Sequence, residues 1–210
     1  MGGRDSQIQA TADHTALHVN PTSFAIRELR MYNRHMALKP QDIVVVLKLC
    51  GYGSNRPPFA QIAADLAMSP SEVHGALKRA QAAHLVHGSE MNSRPNISAL
   101  EEFLIHGVKY AFPAEHGGST RGVPTSYAAA PLNRLIAAGD EPIPVWPHPE
   151  GKRRGIALAP LYKTVPIAAM RDPLLYEKLA LVDALRDGRT RERKLAEQEL
   201  KKLLRKKADG

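Results

Sequence analysis

Between Ala111 and Pro166 the chain carries nine prolines: Pro113, Pro124, Pro131, Pro142, Pro144, Pro147, Pro149, Pro160 and Pro166. Proline lacks an N–H and its ring clashes with the preceding turn, so no long helix survives there. Gly117, Gly118, Gly122, Gly139, Gly151 and Gly155 add further breaks. The block divides the 210 residues into a helix-competent first half, a middle without long helices and a helix-competent end. The middle is too apolar for a free linker, with Tyr110, Phe112, Tyr127, Leu132, Leu135, Ile143, Val145, Trp146, Ile156, Leu158, Leu161 and Tyr162. An ordered, loop-rich segment packed on a partner surface is expected.

Residues 40–110 are the most regular part. Pro40 stands where a first helical turn tolerates it, ahead of Ile43, Val44, Val45, Val46, Leu47 and Leu49. Periodicity alone does not separate helix from strand there. The break from Gly51 to Pro58 and the helical pattern after it favour a helix. Phe59, Ile62, Ala63 and Leu66 recur at i, i+3, i+4 and i+7, one helical face. Ser69-Pro70-Ser71-Glu72 then combines an N-cap, a proline at the first helical position and an acid three residues after the cap. Val73, Ala76, Leu77 and Ala80 make the buried stripe of that second helix. A similar pattern, Ser98 to Glu101, opens another helix through Leu100, Phe103, Leu104 and Val108. Val86 to Asn96, with Gly88, Asn92, Ser93 and Pro95, has the size and composition of a short β-hairpin. Beyond the middle block, Asp172-Pro173 caps a helix with Leu175, Leu179, Val182 and Leu185 on one face. Thr190 caps a last helix with Leu195, Leu200, Leu203 and Leu204. From Arg186 to Lys207 ten Lys or Arg face four Asp or Glu. That helix suits a nucleic-acid backbone, a solvated tail or a dimer contact through Leu195, Leu200 and Leu204.

The net charge of +8 favours a polyanionic partner such as DNA, RNA or an anionic membrane surface. The one cysteine, Cys50, excludes an intramolecular disulfide and ends an apolar run, so it reads as core in a reducing, cytoplasmic compartment. No stretch is apolar enough to span a membrane, and no signal peptide is expected. The nine histidines lack metal-ligand spacing. No catalytic arrangement stands out, so no metal, cofactor or enzymatic activity is expected. The polar stretch His116-Gly-Gly-Ser-Thr-Arg-Gly, with Arg121 and Lys109 nearby, reads either as a loop for a small anion or as a flexible turn. It lacks the Gly-Lys-Ser/Thr ending of a phosphate-binding loop.

Phe59 to Leu85 has the anatomy of a helix-turn-helix, in which the first helix braces a second that lies in the DNA major groove. Ser71, His74 and Lys78 share one face of the second helix. Ser69 and Ser71 flank its first turn, where phosphate is favoured. Gly75 weakens that helix by about 1 kcal/mol relative to alanine, a cost that close approach of DNA or of another helix would explain. Arg94, at the tip of the hairpin, is placed for a minor groove or a phosphate, or is a solvated turn residue. The stretch from Lys39 to about Ile97, above all Phe59 to Ala80, resembles the winged helix-turn-helix regulators of the MarR-like group. By that resemblance Ser69, Ser71, His74, Lys78 and Arg79 face DNA, Arg94 is the wing contact, and the protein is a homodimer on a palindromic site. The Pro-rich block departs from the long dimerising helices of that group, so its dimer geometry and effector pocket are not carried over.

The expected fold is therefore mainly α with a small β-wing: a winged helix-turn-helix core, a Pro-rich ordered extension and C-terminal helices. Expected boundaries are a flexible arm over 1–20, the DNA-binding domain over 21–110, the packing segment over 111–170 and basic helices over 171–210. The expected function is a sequence-specific regulator of double-stranded DNA, a repressor that occludes a promoter. The alternative is an antitoxin or adaptor that binds a protein partner through an exposed strip around Trp146 and autoregulates its operon.

Overall fold

The computed structural model describes residues 36–53, 56–88, 92–137 and 139–205. The expectations for residues 1–35 lie outside the described residues. The fold is mainly α with two small sheets.

Helix α1 (Pro40–Leu49) resolves the ambiguity of the valine run. Ile43 through Leu47 are fully buried, so the helix is covered on every side. Packing overrides the weak helix propensity of β-branched residues when a segment is enclosed in this way. Helix α2 (Phe59–Leu66) turns through Ala67 into α3 (Pro70–Ala82). Strands β1 (Val86–His87) and β2 (Arg94–Pro95) form the antiparallel hairpin. Helix α4 (Ile97–Glu102) passes through a wider π turn, Phe103–Gly107, into α5 (Val108–Ala111). Its cap is Asn96, which accepts from the Ala99 N–H, and not the expected Ser98. Glu101 is occupied elsewhere, by a two-pronged pair with Arg205 at 2.9 and 2.7 Å.

The Pro-rich block is ordered. The stretch read as a polar loop is a strand, β3 (His116–Pro124). It pairs antiparallel with β4 (Pro144–Pro147) and β5 (Arg153–Leu158), and β4 pairs parallel with β5, so the three strands close on one another. The closure needs glycine, because a Cβ on Gly122 or Gly155 would overlap the backbone carbonyls of Trp146 or Ile143.

Helices α6 (Val165–Arg171), α7 (Pro173–Asp187) and α8 (Thr190–Arg205) complete the chain. Asp172 caps α7 by accepting from the Leu175 N–H at 3.0 Å. Helix α7 is the hub, packing against α1, α5, α6 and α8. Its fully buried Asp183 accepts from Thr125 Oγ1 at 2.8 Å, from Trp146 Nε1 at 2.6 Å and from Arg186 at 2.6 Å. Arg186 also donates to the carbonyls of Phe112, Pro113 and Ala159. One buried ion pair therefore gathers four separate points of the Pro-rich block onto α7.

Two expectations change here. Trp146 is 1% exposed, so the strip around it is not an outward docking surface. Leu200 and Leu204 are buried and Leu195 packs on the same core, so the leucines of α8 are used within the chain.

Candidate nucleic-acid interface

The start of α3 is built as its sequence requires. Ser69 Oγ accepts from the Glu72 N–H at 3.2 Å, and the Ser69 N–H donates to Glu72 Oε2 at 2.7 Å. Two otherwise unpaired donors are thereby satisfied, which fixes where the helix begins. Behind it, Ile62, Ala63 and Leu66 of α2 are buried, as are Val73, Ala76, Leu77 and Ala80 of α3. The small Ala63 and Ala76 keep the helices close. At the other end Gln81 donates to the Gly88 carbonyl at 2.9 Å, fastening the hairpin to α3.

Of the six residues expected to face DNA, four lie on or beside the outward face of α3. Ser69, Ser71 and Lys78 are exposed, and Ser69 and Ser71 share a 3.0 Å hydroxyl contact. His74 is half-buried, its ring edge against Phe59 at 5.7 Å between centroids. The Arg56 guanidinium lies over the Phe59 ring at 4.7 Å. This cation, which no periodicity marks, is stacked through one ring onto the His74 position.

Arg79 leaves that face. Its guanidinium grips the buried Asp42 through two bonds, 2.8 and 2.6 Å, with the Arg79 side chain only 13% exposed. Burial pushes the Asp42 carboxyl above its ordinary value while Arg79 and the Lys39 N–H pull it down. The same residue bears on Gly75: a Cβ there would stand 3.2 Å from the Arg79 guanidinium, so the glycine leaves this clamp room. Arg94 is also displaced from its expected position. It sits in β2 opposite His87 and not at the hairpin tip, and it is exposed.

The C-terminal half reaches this site as well. Tyr162 donates its hydroxyl to Glu72 Oε1, on the carboxylate that closes the α3 cap. Lys163 is exposed beside it, near enough to act on the Glu72 charge. Arg171 of α6 donates to the Ala64 carbonyl of α2. Lys48 of α1 bridges Asp65 of α2 at 3.0 Å and Asp172 at 2.9 Å. Neither Tyr162 nor Lys163 carried a sequence signal, because both reach α3 from about ninety positions away.

The hydrogen bond from Tyr162, with those from Ser69, holds the Glu72 carboxyl down to about 2. A carboxylate with a depressed folded value contributes stability above its unfolded value, about 4.5, and loses it as pH falls towards about 2. Tyr162→Phe is thus expected to lower the thermal midpoint at neutral pH, with the gap from the parent closing as pH approaches 2. A gap constant across that range would assign the tyrosine's effect to packing alone.

Among the described residues no helix is long and apolar enough to cross a membrane. Among the same residues no group of His, Cys, Asp or Glu is arranged to hold a metal ion. No family model, curated protein or solved structure matches the chain.

Proposed function

We propose that residues 40–97 act as a winged helix-turn-helix that binds double-stranded DNA, with α3 as the reading helix, in a transcriptional regulator that represses by occupying a promoter. The observation that carries the reading is α3 itself. It has a fully formed cap, an α2 brace behind it, a hairpin fastened to its far end, and an outward face offering Ser71, His74 and Lys78. Hydroxyl and basic side chains near a helix N-terminus are the groups that read base edges and hold phosphates in this geometry. Arg56, Lys163 and Arg94 add exposed or half-exposed positive charge around it. The homodimer on a palindromic site belongs to the same proposal, formed through a face other than the leucines of α8.

The test is binding to the DNA upstream of the protein's own gene, beside a scrambled duplex, at two salt concentrations. Ser71→Ala and Lys78→Ala are each expected to weaken the specific complex about tenfold, the size of one good base contact, and the scrambled complex less. Lys78→Ala also lowers the salt slope by about one if the lysine meets a phosphate. His74→Gln keeps a polar edge at that position and tests the third member of the face. Parental binding of both duplexes by all three variants would sink the assignment of α3.

A further inference from the structure

We propose that the β3–β5 ribbon is a second nucleic-acid contact, a phosphate-binding surface that adds affinity without reading sequence. The inference rests on the reading of the chain as a duplex-binding protein. Arg121 and Arg154 are direct cross-strand partners, so their side chains leave the same face of the ribbon. Arg153 pairs with Gly122 one position further on, so its side chain leaves the opposite face, and Lys152 precedes it in the turn. All four cations are exposed. The turn that carries Lys152 is pressed onto β3. His148 donates its N–H to the Arg121 carbonyl, Gly151 closes the turn onto His148, and a Cβ on Gly151 would overlap the Gly122 backbone. The charges are therefore held by a rigid scaffold and not by a floppy tail.

Some cations of the chain are engaged internally. Lys48, Arg79, Arg186 and Arg205 each hold a carboxylate of the same chain. Arg121, Lys152, Arg153 and Arg154 form no ion pair with a described carboxylate; Glu150, in the same turn, is exposed. Two like charges set opposite each other across strands destabilise a sheet, so the arrangement works against the fold. An outside polyanion removes that repulsion. The Arg121–Arg154 pair on one face, with Lys152 in the adjoining turn, suits the phosphates of a nucleic-acid backbone. An anionic membrane would be the competing partner. The exposed large apolar residues that would enter it, Tyr110, Leu135, Met170 and Leu174, all lie outside the ribbon.

The experiment measures binding of the full chain to a scrambled duplex across a salt series, so it does not depend on sequence reading. Arg121→Ala with Arg154→Ala is expected to lower the slope of log affinity against log salt by about 2, since each neutralised phosphate contributes about 0.9. Between about 50 and 200 mM salt the parent then loses about tenfold more affinity than the variant. Arg154→Glu turns the like pair into an opposite pair. It is expected to raise the thermal midpoint while weakening duplex binding further, and it carries the test if the double variant folds poorly. A parental slope in a folded variant overturns the proposal. So does loss of binding to phosphatidylserine vesicles with unchanged duplex binding. If the parent does not prefer its own upstream DNA, the regulator reading fails while the slope comparison still decides the ribbon.

Discussion

Asp183→Ala is expected to cost about 3–5 kcal/mol of folding stability, the size seen when one partner of a buried ion pair is removed. The Arg186 guanidinium would stay in place, 4% exposed, with its charge uncompensated. The Thr125 hydroxyl and the Trp146 N–H would lose their acceptor at the same time. Domains are stable by only about 5–15 kcal/mol, so this substitution removes a large share of the total. Urea unfolding followed by tryptophan fluorescence measures it, because Trp146 is the only tryptophan in the chain. Thr125→Val removes one neutral donor and should cost about 1 kcal/mol. A loss below about 1 kcal/mol for Asp183→Ala, the size of a single neutral bond, would show that the network does not hold the Pro-rich block to α7.

Arg79→Ala is the second large effect, again about 3–5 kcal/mol, because it strands the fully buried Asp42. Asp42 would keep the Lys39 N–H at 2.8 Å but lose both guanidinium bonds. Adding Asp42→Ala should restore part of the loss, since the unpaired charge and not the missing attraction dominates. The same variant separates two roles for this arginine. A DNA contact predicts unchanged stability with weaker duplex binding. The clamp predicts a lower thermal midpoint, and parental DNA affinity per folded molecule at low temperature.

The α3 cap was legible because it is local: Ser69, Pro70 and Glu72 are neighbours, and their chemistry does not depend on the rest of the fold. The stripe of Val73, Ala76, Leu77 and Ala80 was legible from its period. The direction of Arg79 was not, because it is decided by Asp42, thirty-seven positions upstream and in a different helix. Gly75 likewise has a neighbour, the Arg79 guanidinium, whose position the helix pattern does not give. The apolar content of the Pro-rich block correctly announced order, but its strands were hidden. The glycines of this block read as looseness, whereas Gly122 in β3 and Gly155 in β5 permit three strands to close on one another. Trp146 read as a docking residue because nothing near it in sequence supplies the acceptor that Asp183 provides from α7.

The hydrogen bond from Tyr162 to Glu72 has a consequence for how this chain is divided. The carboxylate that caps α3 has one oxygen engaged by its own turn and the other by Tyr162, near the end of the Pro-rich block. Lys48 is shared in the same way between Asp65 and Asp172. The head is thus not a detachable cartridge. A cut after Ala111 would strip Tyr162 from the cap, Asp172 from Lys48 and α6 from the flank of α2. Residues 40–97 transplanted onto another body would lose the Tyr162 hydroxyl at the α3 cap and the Asp172 carboxylate at Lys48.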